Sequence, residues 1–470
     1  MIARLGAENP WWRTAAISAQ IERWPPRAYL QLFLPLVRLT DLRRAVVLMG
    51  PRRVGKTFLL HHTISKLLTD GVHPGSIAYI SVDHPLYTGL SLEDLVAHVE
   101  QAVPVAPNGL SHIFFDEIQY LRDWEVHLKV LVDSRPDVKF IASGSAAAAL
   151  KLKSQESGAG RFTNFMLPPL TFYEYIVLLG LESRFGGFDD PFGEIPAGIG
   201  ALNMRFVDYL NFGGYPELAL SSEIRADPSR FVKSDIVDKV LLRDLPSLYG
   251  ISDIQELNYL FTTLAFNTAQ EVAPARLAEN SGVASPTIKK YIDYLEAAFL
   301  IKVVHKLKRN ARRFQRARTF KVYLTNPSMR AALFAAVEED SQLMGALAET
   351  AIFAQWFHAD YDTHLHYARW QSGEVDIVQL DHDQKPLWAA EVKWSDRPVK
   401  HPGELRSLLT FAQEHGLASV LCTTRTRSLR VRHGTGIELR FLPASVWAYV
   451  LGRNIIANKG GLSAHVLEPS

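Results

Sequence analysis

The stretch that most limits what this chain can become is "VVLMGPRRVGKTFLL", residues 46–60. An apolar run of strand character stops at a glycine, a second glycine follows, and a helical pattern begins. Gly50 to Thr57 fit G-x-x-x-x-G-K-[ST] in the strand-to-helix setting that motif needs. A loop with Gly50 and Gly55 can turn successive backbone N–H groups toward one point, where the helix N-terminus adds partial positive charge. Phosphate oxygens suit such a place. The segment Gly50, Pro51, Arg52, Arg53, Val54, Gly55, Lys56, Thr57 and Phe58 is therefore expected to hold ATP. Lys56 would reach the β- and γ-phosphates and Thr57 would ligate Mg²⁺. The runs "RAVVLMG", "SIAYISVD", "SHIFFDE" and "VKFIASGS" alternate with helical patterns. That alternation predicts an α/β fold whose mostly parallel sheet is covered by helices.

A second signal agrees with the first. "HIFFDEIQYL" is an apolar strand ending in Asp116 and Glu117, far enough downstream for a neighbouring strand to return to the loop. Asp116 would hold Mg²⁺ through water and Glu117 would polarise an attacking water. Ser143 and Ser145 close another strand and are placed to contact the γ-phosphate or that water. Arg161 precedes an apolar segment and "PPLTF", and reads either as a finger toward a neighbouring subunit's phosphate or as a structural arginine.

Bulk properties narrow the class. The 470 residues suffice for about three domains. At 47% hydrophobic, the chain can build sizeable cores. A net charge of +2 favours no partner, so nucleic-acid affinity would have to come from local clusters. The lone cysteine, Cys422, excludes a disulfide within the chain and fits a reducing, cytoplasmic setting. No signal-peptide core is visible, and no apolar run approaches the ~20 residues of a membrane-spanning helix.

One such cluster follows a helix–turn–helix pattern. In "EVAPARLAENSGVASPTIKKYIDYLEAAFLI", Ala275, Leu277 and Ala278 fall on a first helix and "NSGVA" makes the turn. Ser285 is expected to N-cap the second helix, with Pro286 at its first position. Ile288, Tyr291, Ile292 and Leu295 form its buried stripe, leaving Thr287, Lys289 and Lys290 to face a DNA groove. The ribbon "KVVHKLKRNARRFQRARTFKVYL" then carries nine basic residues and no acid: Lys302, Lys306, Lys308, Arg309, Arg312, Arg313, Arg316, Arg318 and Lys321. It reads as a hairpin wing for phosphate contacts, or else as a solvated face.

A last constellation lies in "SGEVDIVQLDHDQKPLWAAEVKW", residues 372–394. Two strands around a polar turn would set Asp376 beside Glu391 and Lys393. Close carboxylates repel unless a cation joins them, and hard oxygens suit Mg²⁺ or Mn²⁺. Glu349, alone in the apolar helix "GALAETAIFAQWF", would complete the group, and Lys393 would orient water or stabilise phosphate charge. A salt-bridged hairpin without metal is the competing reading. The order Glu349, Asp376, Glu391-x-Lys393 resembles the PD-(D/E)xK nuclease superfamily, with Val375 where the superfamily's name has proline.

Taken together, "GPRRVGKT", "FFDEIQ", "ASGS", "GR" before "LPPLTFYEY", "YLNFGGYPE" and "NPWW" resemble a prokaryotic AAA+ ATPase family with a C-terminal domain of unknown function. The resemblance implies a helical segment at 1–40, an AAA+ P-loop core at 41–170 and a helical lid at 171–235. It further implies a winged helix–turn–helix at 236–335 and a restriction-endonuclease-like α/β domain at 336–470. Homo-oligomers are implied too. The chain is thus expected to bind and hydrolyse ATP and to act on duplex or branched DNA, which the last domain binds or cleaves. The alternative is a signalling or scaffold ATPase whose C-terminal parts recruit a protein partner.

Overall fold

The structure is a computed structural model that describes residues 1–103, 109–144, 160–185, 198–251, 253–307, 319–357 and 365–457. The chain forms two compact units, Met1–Pro168 and Pro169–Ser470.

The first unit is built on β1 (Ala45–Met49), β2 (Ile77–Ser81), β3 (His112–Asp116), β4 (Lys139–Gly144) and β5 (Phe162–Met166). All pairings are parallel, in the order β2-β3-β4-β1-β5. Such a sheet is covered on both faces, and the strands β1, β3 and β4 are accordingly buried along their whole length. Helices α1 (Lys56–Thr69), α2 (Leu92–Ala102) and α3 (Trp124–Ser134) follow the strands. Two details differ from the sequence reading. "FTNFM" adds a fifth strand beside β1. The strand that ends in Asp116 also does not neighbour the loop strand, because β4 lies between them.

The N-terminal "NPWW" closes the free side of β2. In a strand, alternate residues turn their peptide groups to the same side. Ile77 and Tyr79 are such a pair. The Asn9 side chain accepts from the Tyr79 N–H at 2.7 Å and donates to the Tyr79 carbonyl at 2.9 Å. The Trp11 and Trp12 indoles both donate to the Ile77 carbonyl, at 3.0 and 2.8 Å. Side chains thus stand in for a missing strand on an edge that would otherwise be open to pairing.

The second unit holds α4 (Phe172–Leu178), α5 (Ile199–Phe212), α6 (Ile254–Phe266), α7 (Pro274–Ser281) and α8 (Ser285–Ala297). Strands β6 (Gln270–Val272), β7 (Ile301–His305) and β8 (Phe320–Leu324) form an antiparallel sheet in the order β6-β8-β7. After α9 (Met344–Ala354) come β9 (Leu365–Trp370), β10 (Gly373–Leu380), β11 (Pro386–Glu391), β12 (Ser419–Thr424), β13 (Leu429–Arg432) and β14 (Glu438–Pro443). They make a mixed sheet, β13-β14-β12-β11-β10-β9. Helix α10 (Arg406–His415) packs apolar side chains on one face of this sheet, while α9 and α11 (Ala444–Ile456) cover the other. One buried cluster runs from Leu170 through α4, α5, α9 and α11, so the regions expected at 171–235, 236–335 and 336–470 share a core.

The expected hairpin is present: Ile377 pairs with Ala390 and Val378 with Ala389. Against β9, however, the register of β10 shifts between Val375 and Val378, a bulge that contains Asp376. Bulges re-aim side chains. Val375 and Val378 consequently join the α10 side, and Ile377 joins the α9 side.

Candidate functional site

In the first unit the loop after β1 has the geometry its glycines require. A Cβ on Gly50 would lie 2.2 Å from the Leu167 carbonyl oxygen, so no other residue fits without moving the backbone. Gly55 takes φ 92° at the N-cap of α1, a conformation natural only to glycine. Arg53 also has positive φ, 64°. The Lys56 ammonium, almost fully buried, donates to the loop carbonyls of Gly50 at 3.1 Å and Pro51 at 2.8 Å. Arg27, which sequence reasoning passed over, fixes the loop from outside. Its guanidinium donates to the Val54 carbonyl at 2.5 Å and to the Pro168 carbonyl at 3.1 Å.

Asp116 is the hub that joins the strand ends to this loop. Thr57 Oγ1 donates to Asp116 Oδ2 at 2.7 Å, and the Tyr79 hydroxyl donates to the same oxygen at 2.7 Å. The Ser143 hydroxyl donates to Oδ1. The Glu117 N–H approaches Asp116 Oδ1 at 3.2 Å. Four elements therefore converge on one buried carboxylate. Burial and the nearby Asp116 charge hold the Tyr79 hydroxyl protonated, well above the usual phenol range. His61 lies against Tyr79 with the rings tilted by 37° and their centroids 4.5 Å apart, and burial pushes its imidazole down to about 4, so it is neutral. Glu117 is half-buried at φ 55°, and its carboxylate accepts from Gln119 at 2.5 Å. Thr57, Asp116, Glu117 and Ser143 thus stand together as the sequence implied, and their oxygen donors fit a hard divalent cation beside a phosphate loop. Ser145 lies outside the described residues. Arg161 precedes β5 at the end of the sheet opposite the loop and pairs with Asp133 at 2.5 Å, so within one chain it does not serve the loop.

The second unit brings Glu349, Asp376, Glu391 and Lys393 into one neighbourhood, with an addition the sequence reading lacked. Lys321 and Tyr323, two residues apart on β8, share a face that points at α9 and β10. Lys321 Nζ lies 3.0 Å from Glu349 Oε1, 2.7 Å from Glu374 Oε1 and 3.2 Å from Asp376 Oδ1. The Tyr323 hydroxyl donates to Glu349 Oε1 at 2.6 Å. The second Asp376 oxygen accepts from the Val392 N–H at 2.9 Å. Lys393 Nζ donates to Glu391 Oε1 at 2.7 Å, while Glu391 Oε2 is buried with no hydrogen-bond partner. Burial first, and then the Asp376 charge, raise Glu349 to about 7 and Glu391 to about 8. Burial opposes the charge on Lys321, but the surrounding carboxylates outweigh it and the ammonium is held charged. Among the described residues no group of three or more His, Cys, Asp or Glu is arranged to hold a metal ion. Lys321 stands among Glu349, Glu374 and Asp376, a neighbour that the metal set expected from Glu349, Asp376 and Glu391 did not include. The signal was available, since a lysine between Phe320 and Val322 in an otherwise apolar strand points to an internal partner.

Of the residues expected to meet nucleic acid, only some lie among the described residues. Helix α8 buries Ile288, Tyr291, Ile292 and Leu295, as its periodicity implies. Its N-cap is Ala284 and not Ser285, which puts Pro286 one position later than expected. Lys289 and Lys290 are exposed, and Thr287 is half-buried. Strands β7 and β8 form the hairpin, with Val303 opposite Val322. Lys308, Arg309, Arg312, Arg313, Arg316 and Arg318 lie outside the described residues. Lys306 is half-buried and bridges to Tyr367. Lys302 approaches Glu296 at 3.8 Å, and Lys321 is buried and faces inward.

A family model described as an AAA domain matches residues 42–176, the span that carries the loop and the acidic strand. Over that span the chain is similar to P-loop ATPase domains. A second family model, a domain of unknown function (DUF8612), matches residues 203–340. An uncharacterised protein of Haemophilus influenzae is 26% identical over 58% of this chain and 64% of its own length. The uncharacterised protein MJ1544 of Methanocaldococcus jannaschii is 24% identical over 54% of this chain. The chain spans 55% of the length of that second relative. Among solved structures, the Walker-type ATPase PABY2304 of Pyrococcus abyssi is similar with 15% identity and a TM-score of 0.38. The match covers 67% of this chain and 99% of that one. Cdc6p of Pyrobaculum aerophilum is similar with 12% identity and a TM-score of 0.28, over 67% of this chain and 97% of that one. No helix among the described residues is long and apolar enough to cross a membrane.

Proposed function

We propose that the chain binds and hydrolyses ATP with Mg²⁺ in its P-loop domain and acts on DNA, duplex or branched, through its second unit. The observation that carries the ATP half is the Thr57–Asp116 hydrogen bond at 2.7 Å, which ties the phosphate loop's helix to the acidic strand. ATP supplies the phosphoanhydride bond, and Mg²⁺, held by Thr57 and Asp116, supplies positive charge against its oxygens. Lys56 and the loop N–H groups bind the phosphates. Glu117 orients water and accepts its proton. Ser143 and Tyr79 hold Asp116 in place. Arg161 is assigned to a neighbouring copy's nucleotide, and homo-oligomers follow from that assignment.

The DNA half rests on the order α6-β6-α7-α8-β7-β8, three helices and a three-stranded antiparallel sheet. This arrangement supports a winged helix, in which α8 offers Lys289 and Lys290 to the groove and the hairpin offers its basic residues to phosphates. The mixed sheet with Asp376, Glu391 and Lys393 supports a nuclease-like fold placed after it. The test is ATP turnover and filter retention of generic duplex and four-way DNA over a salt series. Retention is expected to fall steeply with salt, and Lys289→Glu with Lys290→Glu to flatten the log–log slope by about two. In the same assay Glu117→Gln binds ATP and turns it over at least tenfold more slowly. No retention at low salt sinks the DNA reading and leaves a protein partner as the target. Unchanged turnover in Glu117→Gln removes its role with water.

A further inference from the structure

We infer that the acidic centre of the second unit takes its countercharge from Lys321, and that it does not accept the divalent cation a nuclease-like centre calls for. The inference rests on the nuclease-like reading of the mixed sheet, which supplies the expectation that the side chains contradict. An ammonium has three N–H donors and no acceptor. Lys321 finds three carboxylates, Glu374, Glu349 and Asp376, at 2.7, 3.0 and 3.2 Å, so every donor is used. Its residue is 3% exposed, which makes water no competitor for those bonds. Both Asp376 oxygens and one of Glu349 are engaged as well, while Glu391 Oε2 is without a partner. Asp376 gives one to Lys321 and the other to the Val392 N–H, and Glu349 Oε1 also accepts from Tyr323. A divalent ion entering here would meet a fixed positive charge where its own should stand. It would have to break these bonds and leave the ammonium buried without partners, which is strongly unfavourable.

The sequence arranges this locally. Strand alternation puts Lys321 and Tyr323 on one face of β8 and likewise Glu374 and Asp376 on one face of β10, where both meet Lys321. Lys393 does not take over the task, because its ammonium is engaged with Glu391. The centre is thereby a fixed ion cluster that fastens the three-stranded sheet to the mixed one, and the unit holds DNA without cutting it.

The test uses the full chain without nucleotide and follows free Mn²⁺ by electron paramagnetic resonance, in wild type, Asp376→Asn and Lys321→Met. Wild type and Asp376→Asn are expected to bind the same amount of Mn²⁺, since nothing depends on Asp376. Lys321→Met is expected to gain one Mn²⁺ per chain, lost again when Asp376→Asn is added. Asp376-dependent Mn²⁺ binding by wild type overturns the inference, as does a folded Lys321→Met chain with no gain. If Lys321→Met does not fold, the wild-type comparison decides alone. DNA retention, measured on the same samples in EDTA, is expected to persist. Its absence counts against the DNA reading and leaves the metal result standing.

Discussion

Glu391 shows what a single misplaced charge does in this fold. Its carboxyl is buried, one oxygen lacks a partner, and burial with the Asp376 charge lifts it from the ordinary 4.5 to about 8. An acid whose pKa is higher in the folded chain keeps a proton that the unfolded chain has released, so stability falls as pH rises between the two values. The urea midpoint of the second unit is therefore expected to drop between about pH 4.5 and pH 8. Glu391→Gln should reduce that slope by about one proton. A wild-type midpoint that rises over this window shows the acid to be ionised in the folded chain. Residue identity made Glu391 legible as a candidate, and Lys393 as its partner. What stayed hidden was Lys321, counted with its basic neighbours because proximity in sequence says nothing about which way a strand turns a side chain.

At the level of elements, the substitution of side chains for a strand along β2 has a measurable cost when removed. Asn9→Ala leaves the Tyr79 N–H and carbonyl without their partners, at about 1–3 kcal/mol per orphaned group. Asn9→Ala is expected to lower the denaturation midpoint of the first unit and to raise its tendency to self-associate on warming, read by light scattering. An unchanged midpoint means that water replaces the amide there. The four strands expected between residues 41 and 145 are present because each is a short apolar run ending in a turn or polar residue, and the α8 stripe because its period is helical. The fifth strand was missed, since "FTNFM" alternates weakly and gains its place by pairing with β1. The bulge at Asp376 was missed for a similar reason: a one-residue change of register leaves no mark on composition.

For the molecule as a whole, each unit has its own buried cluster. Separate cores unfold in separate steps when each is large enough. Two urea transitions are expected, and Mg²⁺ with ATP should raise the one that belongs to the P-loop domain, by about 2.7 kcal/mol at a hundredfold excess over Kd. Lys56→Ala should abolish that shift. A shift of both transitions together indicates that nucleotide stability spreads across the chain. Within the second unit, the Leu307 N–H donates to the Tyr367 carbonyl at 2.7 Å, next to the Lys306–Tyr367 bridge. The end of β7 is therefore joined to β9, at the edge of the mixed sheet, by peptide groups. A load on β7 is thereby borne by β9 through main-chain bonds as well as side chains.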